Sequence, residues 1–374
     1  MRALIYGAGV YGTLVKKILD YAKIEIYAFI DRKLAGTYIE GIPVVAPEKI
    51  EEYRDCKIYI ATKNYYSEIK RYLLDSGCEN VSDIADILET DISKLQLSRE
   101  EKDVWMQRKA YKIAVDMDKK VGNKFVHIEA VVTERCSLKC KDCSSLMPFY
   151  QNPCNVEVSD LIRWIKNLLS GVSYIGELRI LGGEPFLNPR LTELITAFAE
   201  NEKIGMLTIY TNGTVLPGND ILQCIRENNV LLHISDYGIG EKKREILVQK
   251  CEELQIDYVV RKYDEWHEFG PFIENNMPSA GLEKMYQNCI SANCYTVLNG
   301  RLYHCPRAAH AEKIGLLAKC ENDCLNLEAE IMDSELIKNF ISDAKYIDAC
   351  RYCYGTRNSD RLVQAAVQMR NEIG

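Results

Sequence analysis

Short apolar runs alternate with segments of helical period along most of this 374-residue chain. RALIYGAG is an apolar run ending in glycines, and VYGTLVKKILDYA continues at the helical period. IEIYAFID and CKIYIAT read as further strands, and YSEIKRYLLDSG as a helix closed by Gly77. Such alternation predicts a parallel sheet over residues 1–90. KLQLSREEKDVWMQRKAYKIAVDMDKK is charged and helical, and residues 91–124 read as a helical linker with a solvated face.

The β/α pattern restarts at Lys124. KFVHIEAVV, LRILGGEP, LTIYTNG, VLLHISDYG and IDYVVRKY are predicted strands, with helical segments between them. Repeated βα units with functional-looking residues after each strand predict a partial (β/α)6 TIM-type barrel over 125–280, active at the strand C-termini. Residues 281–374 carry TVLNGRLYH, a β-hairpin turning on Asn299-Gly300, and read as a small hairpin/helix domain. The expected class is α/β, with a Rossmann-like sheet first.

Composition narrows the function. Hydrophobic residues at 47% and charged residues at 27% are those of a soluble globular chain. A net charge of −7 argues against a nucleic-acid surface. No long apolar run or signal-type N-terminus stands out, so the expectation is a cytoplasmic protein without membrane contact. Fifteen cysteines in a reducing compartment point to metal or redox chemistry. Cys56, Cys78, Cys224 and Cys251 sit singly on apolar or helical patterns and read as core.

The first strand ends in Gly7-Ala8-Gly9-Val10-Tyr11-Gly12, a G-x-G-x-x-G, and Asp31 ends the second strand. That spacing is the dinucleotide fingerprint, with backbone N–H groups at a helix N-terminus facing a pyrophosphate. The segment resembles small nucleotide-sugar-binding domains fused to bacterial sugar-modifying enzymes. A bound nucleotide or nucleotide-sugar and a purely structural half-Rossmann both remain open.

TERCSLKCKDCSS places Cys136, Cys140 and Cys143 directly after the first barrel strand. Three thiolates can hold a [4Fe–4S] cube through three irons and leave the fourth open to a chelating small molecule. A zinc site would want a fourth ligand, and Cys154 is the only neighbour. C-x3-C-x2-C, followed by Gly182-Gly183-Glu184-Pro185 after the second strand, resembles the signature of radical S-adenosylmethionine (SAM) enzymes. The resemblance implies that Cys136, Cys140 and Cys143 ligate a cluster that reduces SAM to a 5′-deoxyadenosyl radical. It implies that Gly182, Gly183 and Glu184 face the methionine amino group, that Asn212 and Ser235 contact SAM, and that Arg244 meets the methionine carboxylate. It also implies a flavodoxin- or ferredoxin-type electron donor. The family's aromatic residue before the last cysteine is Asp142 here, so either adenine packing comes from elsewhere or the loop differs in detail.

The C-terminal region resembles a Twitch domain, the shorter relative of SPASM, which implies one auxiliary [4Fe–4S] cluster. Cys289, Cys294, Cys305, Cys350 and Cys353 are the candidates, four of these five. Counting outward from the turn places Cys294 opposite Cys305, whereas the family pattern favours Cys289. A zinc ribbon is the structural alternative, and Cys320 and Cys324 do not fit the longer SPASM order. Trp266 and His267 follow the fifth strand, as substrate contacts or a half-buried loop. Met147 to Tyr150 reads as cover for the first cluster. His304 and His310 read as exposed polar residues or as tuning the auxiliary cluster.

The resulting expectation is a radical SAM oxidoreductase acting on a small sugar, alditol or amino sugar, perhaps nucleotide-linked. A peptide maturase, an epimerase returning hydrogen from a cysteine such as Cys154, and a cluster-bearing regulatory or scaffold protein remain the alternatives. The oligomeric state is not legible.

Overall fold

A computed structural model describes residues 3–318, 323–356 and 361–369. These form two compact units, 1–120 and 121–374. Among the described residues, no helix is long and apolar enough to cross a membrane.

In the first unit the apolar runs become β1 (Ala3–Tyr6), β2 (Ile26–Ile30), β4 (Ile42–Val45) and β5 (Lys57–Ile60), with short β3 (Tyr38–Ile39) and β6 (Val81–Ser82) at the edges. The sheet order is β3-β4-β2-β1-β5-β6, and all neighbours are parallel except the β3–β4 hairpin. The chain runs to one side of β1 and then returns to the other. The glycine turn after β1 therefore lies at the topological switch point, where open α/β sheets bind ligands. It opens α1 (Val10–Tyr21). A Cβ on Gly12 would lie 2.1 Å from the Gly7 carbonyl oxygen, so only glycine lets the helix sit this close to the strand. Asp31 Oδ2 accepts the Ala8 N–H at 3.1 Å, and its Oδ1 accepts those of Lys33 and Leu34. The acidic residue thus fastens the glycine turn to β2.

The segment expected to be a solvated linker is instead part of this core. After α2 (Tyr66–Asp75) and α3 (Ala85–Leu88) come α4 (Arg99–Met106), begun by a Ser98–Glu101 capping box, and α5 (Arg108–Lys119). Tyr111 is fully buried, and its hydroxyl donates to the Ile60 carbonyl at the end of β5. Val104, Trp105 and Ala114 pack on the same core. Most charges line the outer face of an amphipathic pair, while Glu101 is buried and paired with Lys17 at 2.7 Å.

The second unit holds β7 (Lys124–Thr133), α6 (Val158–Gly171), β8 (Tyr174–Gly182), α7 (Leu191–Phe198), β9 (Ile204–Thr211), α8 (Asn219–Glu227), β10 (Leu231–Asp236), α9 (Glu241–Leu254) and β11 (Tyr258–Lys262). These five strands are parallel and lie in sequence order. Six barrel strands were expected from the repeats, and the sixth parallel strand comes from elsewhere. After β12 (Glu265–His267) and α10 (Ser279–Asn288), the hairpin β13 (Tyr295–Leu298) and β14 (Arg301–Tyr303) turns on Asn299-Gly300 with both φ angles positive. β13 lies parallel to β7 and extends the sheet beyond it. Beyond α11 (Pro306–Lys313), β15 (Cys324–Asn326) adds to β14. After α12 (Ser334–Asp343), β16 (Leu362–Gln364) pairs antiparallel with β12.

Strand residues at alternating positions divide the sheet's faces. Ile128, Ala130, Leu178, Ile180, Leu207, Ile209, Leu232 and Ile234 join the helix residues Leu161, Ile165, Leu194, Leu222 and Leu247 in one core. The opposite face carries His127, Glu129, Glu177, Arg179, Tyr210 and His233, a polar face in strands that are otherwise apolar.

Candidate functional site

The cysteine loop leaves the C-terminal end of β7. Cys136, Cys140 and Cys143 share one small apolar cluster with Leu138, Tyr237, Ile239, Trp266 and Ala366. Burial pushes the Cys136 thiol up to about 12 and raises Cys140 and Cys143 as well. Two amides reach the sulfurs. Asn212 Nδ2 lies 3.8 Å from Cys136 Sγ, and Gln368 Nε2 lies 3.3 Å from Cys140 Sγ. Three clustered thiols with side-chain N–H groups reaching two of the sulfurs fit an iron–sulfur cluster, whose charge such donors stabilise.

The glycines at the end of β8, Gly182 and Gly183, are needed for close approach. A Cβ on Gly183 would meet the Arg135 carbonyl oxygen at 2.0 Å, and one on Gly182 the Thr133 oxygen at 2.3 Å. The cysteine loop and the GGEP turn therefore touch backbone to backbone. Glu184 N–H donates to the Arg135 carbonyl at 2.8 Å. Its carboxylate is fully buried and accepts from Asn212 N at 2.9 Å, Thr211 Oγ1 at 2.8 Å and Phe186 N at 3.3 Å. Burial raises this carboxyl to about 7 against those hydrogen bonds. Both oxygens of Glu184 are thus engaged in joining the ends of β8 and β9.

Asn212 is held by Ser137 and Thr214, its Oδ1 accepting the Thr214 hydroxyl at 2.6 Å. Ser235 is buried at the end of β10. Arg244 makes an ion pair with Asp236 at 3.0 Å and donates to the Ile239 carbonyl, so its guanidinium is already partnered within the β10–α9 turn.

Beyond α10, Cys289, Cys305, Cys350 and Cys353 line one cavity together with Arg307 and Ser144. Cys305 caps α11, its Sγ accepting the Ala308 N–H at 3.4 Å, and Cys353 Sγ accepts that of Gly355 at 3.3 Å. Asn275 Nδ2 donates to both the Cys350 and Cys353 carbonyls at 3.0 Å, which fixes the C-x2-C turn. Burial raises Cys305, Cys350 and Cys353. Four thiols lining one cavity fit a fully ligated cluster or a zinc ion.

Cys294 is absent from that lining. The hairpin ladder runs only to Thr296–Tyr303, and Cys305 leaves it to begin α11, so counting outward in strand register fails there. Cys294 sits instead with His127 and Glu129 of β7. Burial pushes the Cys294 thiol up to about 12, Glu129 up to about 7 and His127 down to about 4.

The two histidines flanking Cys305 are buried, contrary to the exposed reading. His304 stacks on Phe340 at 4.0 Å, and His310 Nδ1 meets the Tyr150 hydroxyl at 2.7 Å. Trp266 packs edge-on against Tyr237 at 5.3 Å beside the cysteine loop. Cys320 lies outside the described residues.

Sequence reasoning missed two sets of residues. Residues 366–369 return to the cysteine loop, where Lys141 N–H donates to the Val367 carbonyl and Met369 N–H to that of Lys139. No local pattern announces a pairing over such a separation. The polar face of the second unit's sheet was legible, because buried parallel strands normally read as continuous apolar runs.

Residues 130–250 match the family model of the radical SAM superfamily, and residues 1–82 match that of the C2185-like N-terminal domain. The chain thus carries a radical SAM domain, a class that works with a [4Fe–4S] cluster and SAM. Among curated proteins it is similar to the GTP 3′,8-cyclase of Clostridium acetobutylicum, 31% identical over 99 residues, or 26% of this chain and 30% of the relative. The GTP 3′,8-cyclase of Campylobacter jejuni strain RM1221 is 30% identical over 132 residues, 34% and 40% of the two chains. This chain spans less than half the length of these relatives. Among solved structures, BtrN in complex with AdoMet and 2-DOIA is 16% identical, covering 67% of this chain and 100% of that one at a TM-score of 0.41. Native anSMEcpe with bound AdoMet is 13% identical, covering 61% and 87% at a TM-score of 0.41.

Proposed function

We propose that the chain is a radical SAM iron–sulfur enzyme that oxidises a small polyhydroxylated substrate. Cys136, Cys140 and Cys143 hold the SAM cluster, and Cys289, Cys305, Cys350 and Cys353 hold an auxiliary [4Fe–4S] cluster. Bound clusters and SAM supply the one-electron chemistry: a 5′-deoxyadenosyl radical that takes a substrate hydrogen atom, and an acceptor for the electron left behind. The chain's own residues do the rest. Gly182 and Gly183 present backbone to the methionine end of SAM, while Asn212 orients Cys136 and Glu184 fixes the turn. Tyr237 and Trp266 supply the apolar wall that Asp142 cannot. A flavodoxin- or ferredoxin-type donor and a cytosolic setting belong to the same reading.

The observation that carries the substrate class is the polar face of the barrel sheet. Arg179 there is paired with Glu177 at 2.8 Å, and Tyr210 donates to Glu177 at 3.2 Å. His127 and His233 are neutral, each held down to about 4 by burial. The face is rich in hydrogen-bonding groups and nearly balanced in charge. It suits an alditol, sugar or amino sugar, whose hydroxyls both donate and accept, better than a triphosphate that needs several unpaired cations. In the first unit, the open space around Gly9 at the α1 N-terminus supports a nucleotide or nucleotide-linked ligand.

The test is anaerobic reconstitution, then SAM and dithionite with a panel of alditols, amino sugars and nucleotide-linked sugars. Substrate-dependent 5′-deoxyadenosine with a carbonyl product is expected. Iron content near zero, or no SAM cleavage, defeats the enzyme reading. Cleavage with an inverted, unoxidised product replaces oxidation by epimerisation.

A further inference from the structure

One half-buried cluster is used by neither cysteine set. His127 and Glu129 stand two residues apart on β7 and so project from one face. β13 lies beside β7 with Thr296 opposite Glu129, which brings Cys294 alongside His127. Candidate ligand atoms of His127, Glu129 and Cys294 all lie within 4.8 Å of one another. His127 Nε2 is buried without a hydrogen-bond partner. Glu129 is 9% exposed, and its Oε2 accepts the Thr296 hydroxyl at 3.1 Å.

We propose that His127, Glu129 and Cys294 form a mononuclear site for a borderline divalent cation, with zinc the best match. The donor set decides the class of ion. One imidazole nitrogen, one carboxylate oxygen and one thiolate sulfur suit zinc, whereas magnesium and calcium require oxygen alone. Charge balance agrees. A thiolate and a carboxylate neutralise a dication, and the nearby guanidinium of Arg179 is already matched by Glu177. The orphaned imidazole nitrogen receives the partner it lacks. Three protein ligands leave a fourth position for water or a substrate heteroatom, as in catalytic rather than structural zinc sites. The site depends on neither iron–sulfur assignment.

The experiment is elemental analysis and zinc-edge X-ray absorption on the anaerobically reconstituted holoprotein after passage over a chelating resin. The expected result is about one zinc per chain beside the iron, with about one sulfur neighbour near 2.3 Å and lighter atoms near 2.0–2.2 Å. Cys294→Ser and His127→Gln should each lose the zinc and keep the iron. If Cys294→Ser also loses iron through misfolding, His127→Gln decides. Zinc should persist in the triple variant Cys136→Ala, Cys140→Ala, Cys143→Ala, so failure of the radical reading leaves this result standing. Absence of zinc from the wild-type holoprotein, zinc retained in His127→Gln, or zinc with three or four sulfur neighbours overturns the proposal.

Discussion

Gln368 donates from Nε2 to Cys140 Sγ at 3.3 Å, while its Oε1 accepts the Lys139 N–H at 2.7 Å. One side chain from the far end of the chain thus grips both a candidate cluster ligand and the loop that carries it. Gln368→Ala removes a bond to what becomes a thiolate, worth about 1.5–3 kcal/mol. The variant should assemble its SAM cluster but lose it faster to a chelator, with the auxiliary iron unchanged. Time-resolved iron release checks this. Equal release rates in the two proteins contradict the role.

The division of the cysteines is tested by counting iron. Cys289→Ala should reduce reconstituted iron from about eight to about four per chain, because a four-cysteine site loses a corner. Cys294→Ala should keep all of it. Iron analysis with Mössbauer spectra distinguishes the two, and the opposite pattern would restore the hairpin count.

Arg307 is buried between the rings of Phe269 and Phe272, donates to the Gly270 carbonyl at 2.7 Å and lines the four-cysteine cavity. A fixed positive charge favours the reduced, more negative state of a cluster. Arg307→Gln should therefore move the auxiliary reduction potential to more negative values, whereas Arg307→Lys should recover part of the shift. Redox titration followed by EPR reads both, and an unchanged potential removes Arg307 from this role.

Glu184 predicts a pH dependence. Burial lifts its folded-state value to about 7 from an ordinary 4.5, so the folded protein holds the proton more tightly than the unfolded chain does. Stability from this group is present at low pH and falls as pH rises from about 4.5 to 7, by on the order of 3 kcal/mol. Glu184→Gln should flatten that slope. Denaturant unfolding at pH 5 and pH 7.5 measures it, and parallel slopes in the two proteins refute it.

Tyr111 measures whether α5 belongs to the first core. Tyr111→Phe should cost about 1–2 kcal/mol through the lost hydroxyl, which donates to the Ile60 carbonyl and accepts the Ile84 N–H, and Tyr111→Ala about 3–5 kcal/mol through the cavity as well. A neutral Tyr111→Ala would return the segment to a linker.

What the sequence made legible follows from locality. The glycine turn, the cysteine loop, GGEP and the Asn299-Gly300 hairpin are each set by neighbouring residues, and each stands where the spacing puts it. Charge runs misled over 91–124, because Tyr111 and Val115 bury one stripe of a helix whose average composition is polar. Strand counting misled at Cys294, because Cys305 turns into a helix cap after the ladder ends. Pairings such as Gln368 with Cys140 depend on the whole path of the chain and leave no local trace.

The pairing of β13 with β7 has a consequence for how the second unit can be divided. A cut near residue 280 separates the two proposed modules on paper, yet it strips β7 of a hydrogen-bonded neighbour and leaves a raw sheet edge beside the cysteine loop. Neighbouring strands lie about 4.8 Å apart whatever the rest of the molecule does. The sheet therefore fixes the spacing of two strands, β7, which leads into the cysteine loop, and β13, whose hairpin leads into Cys305.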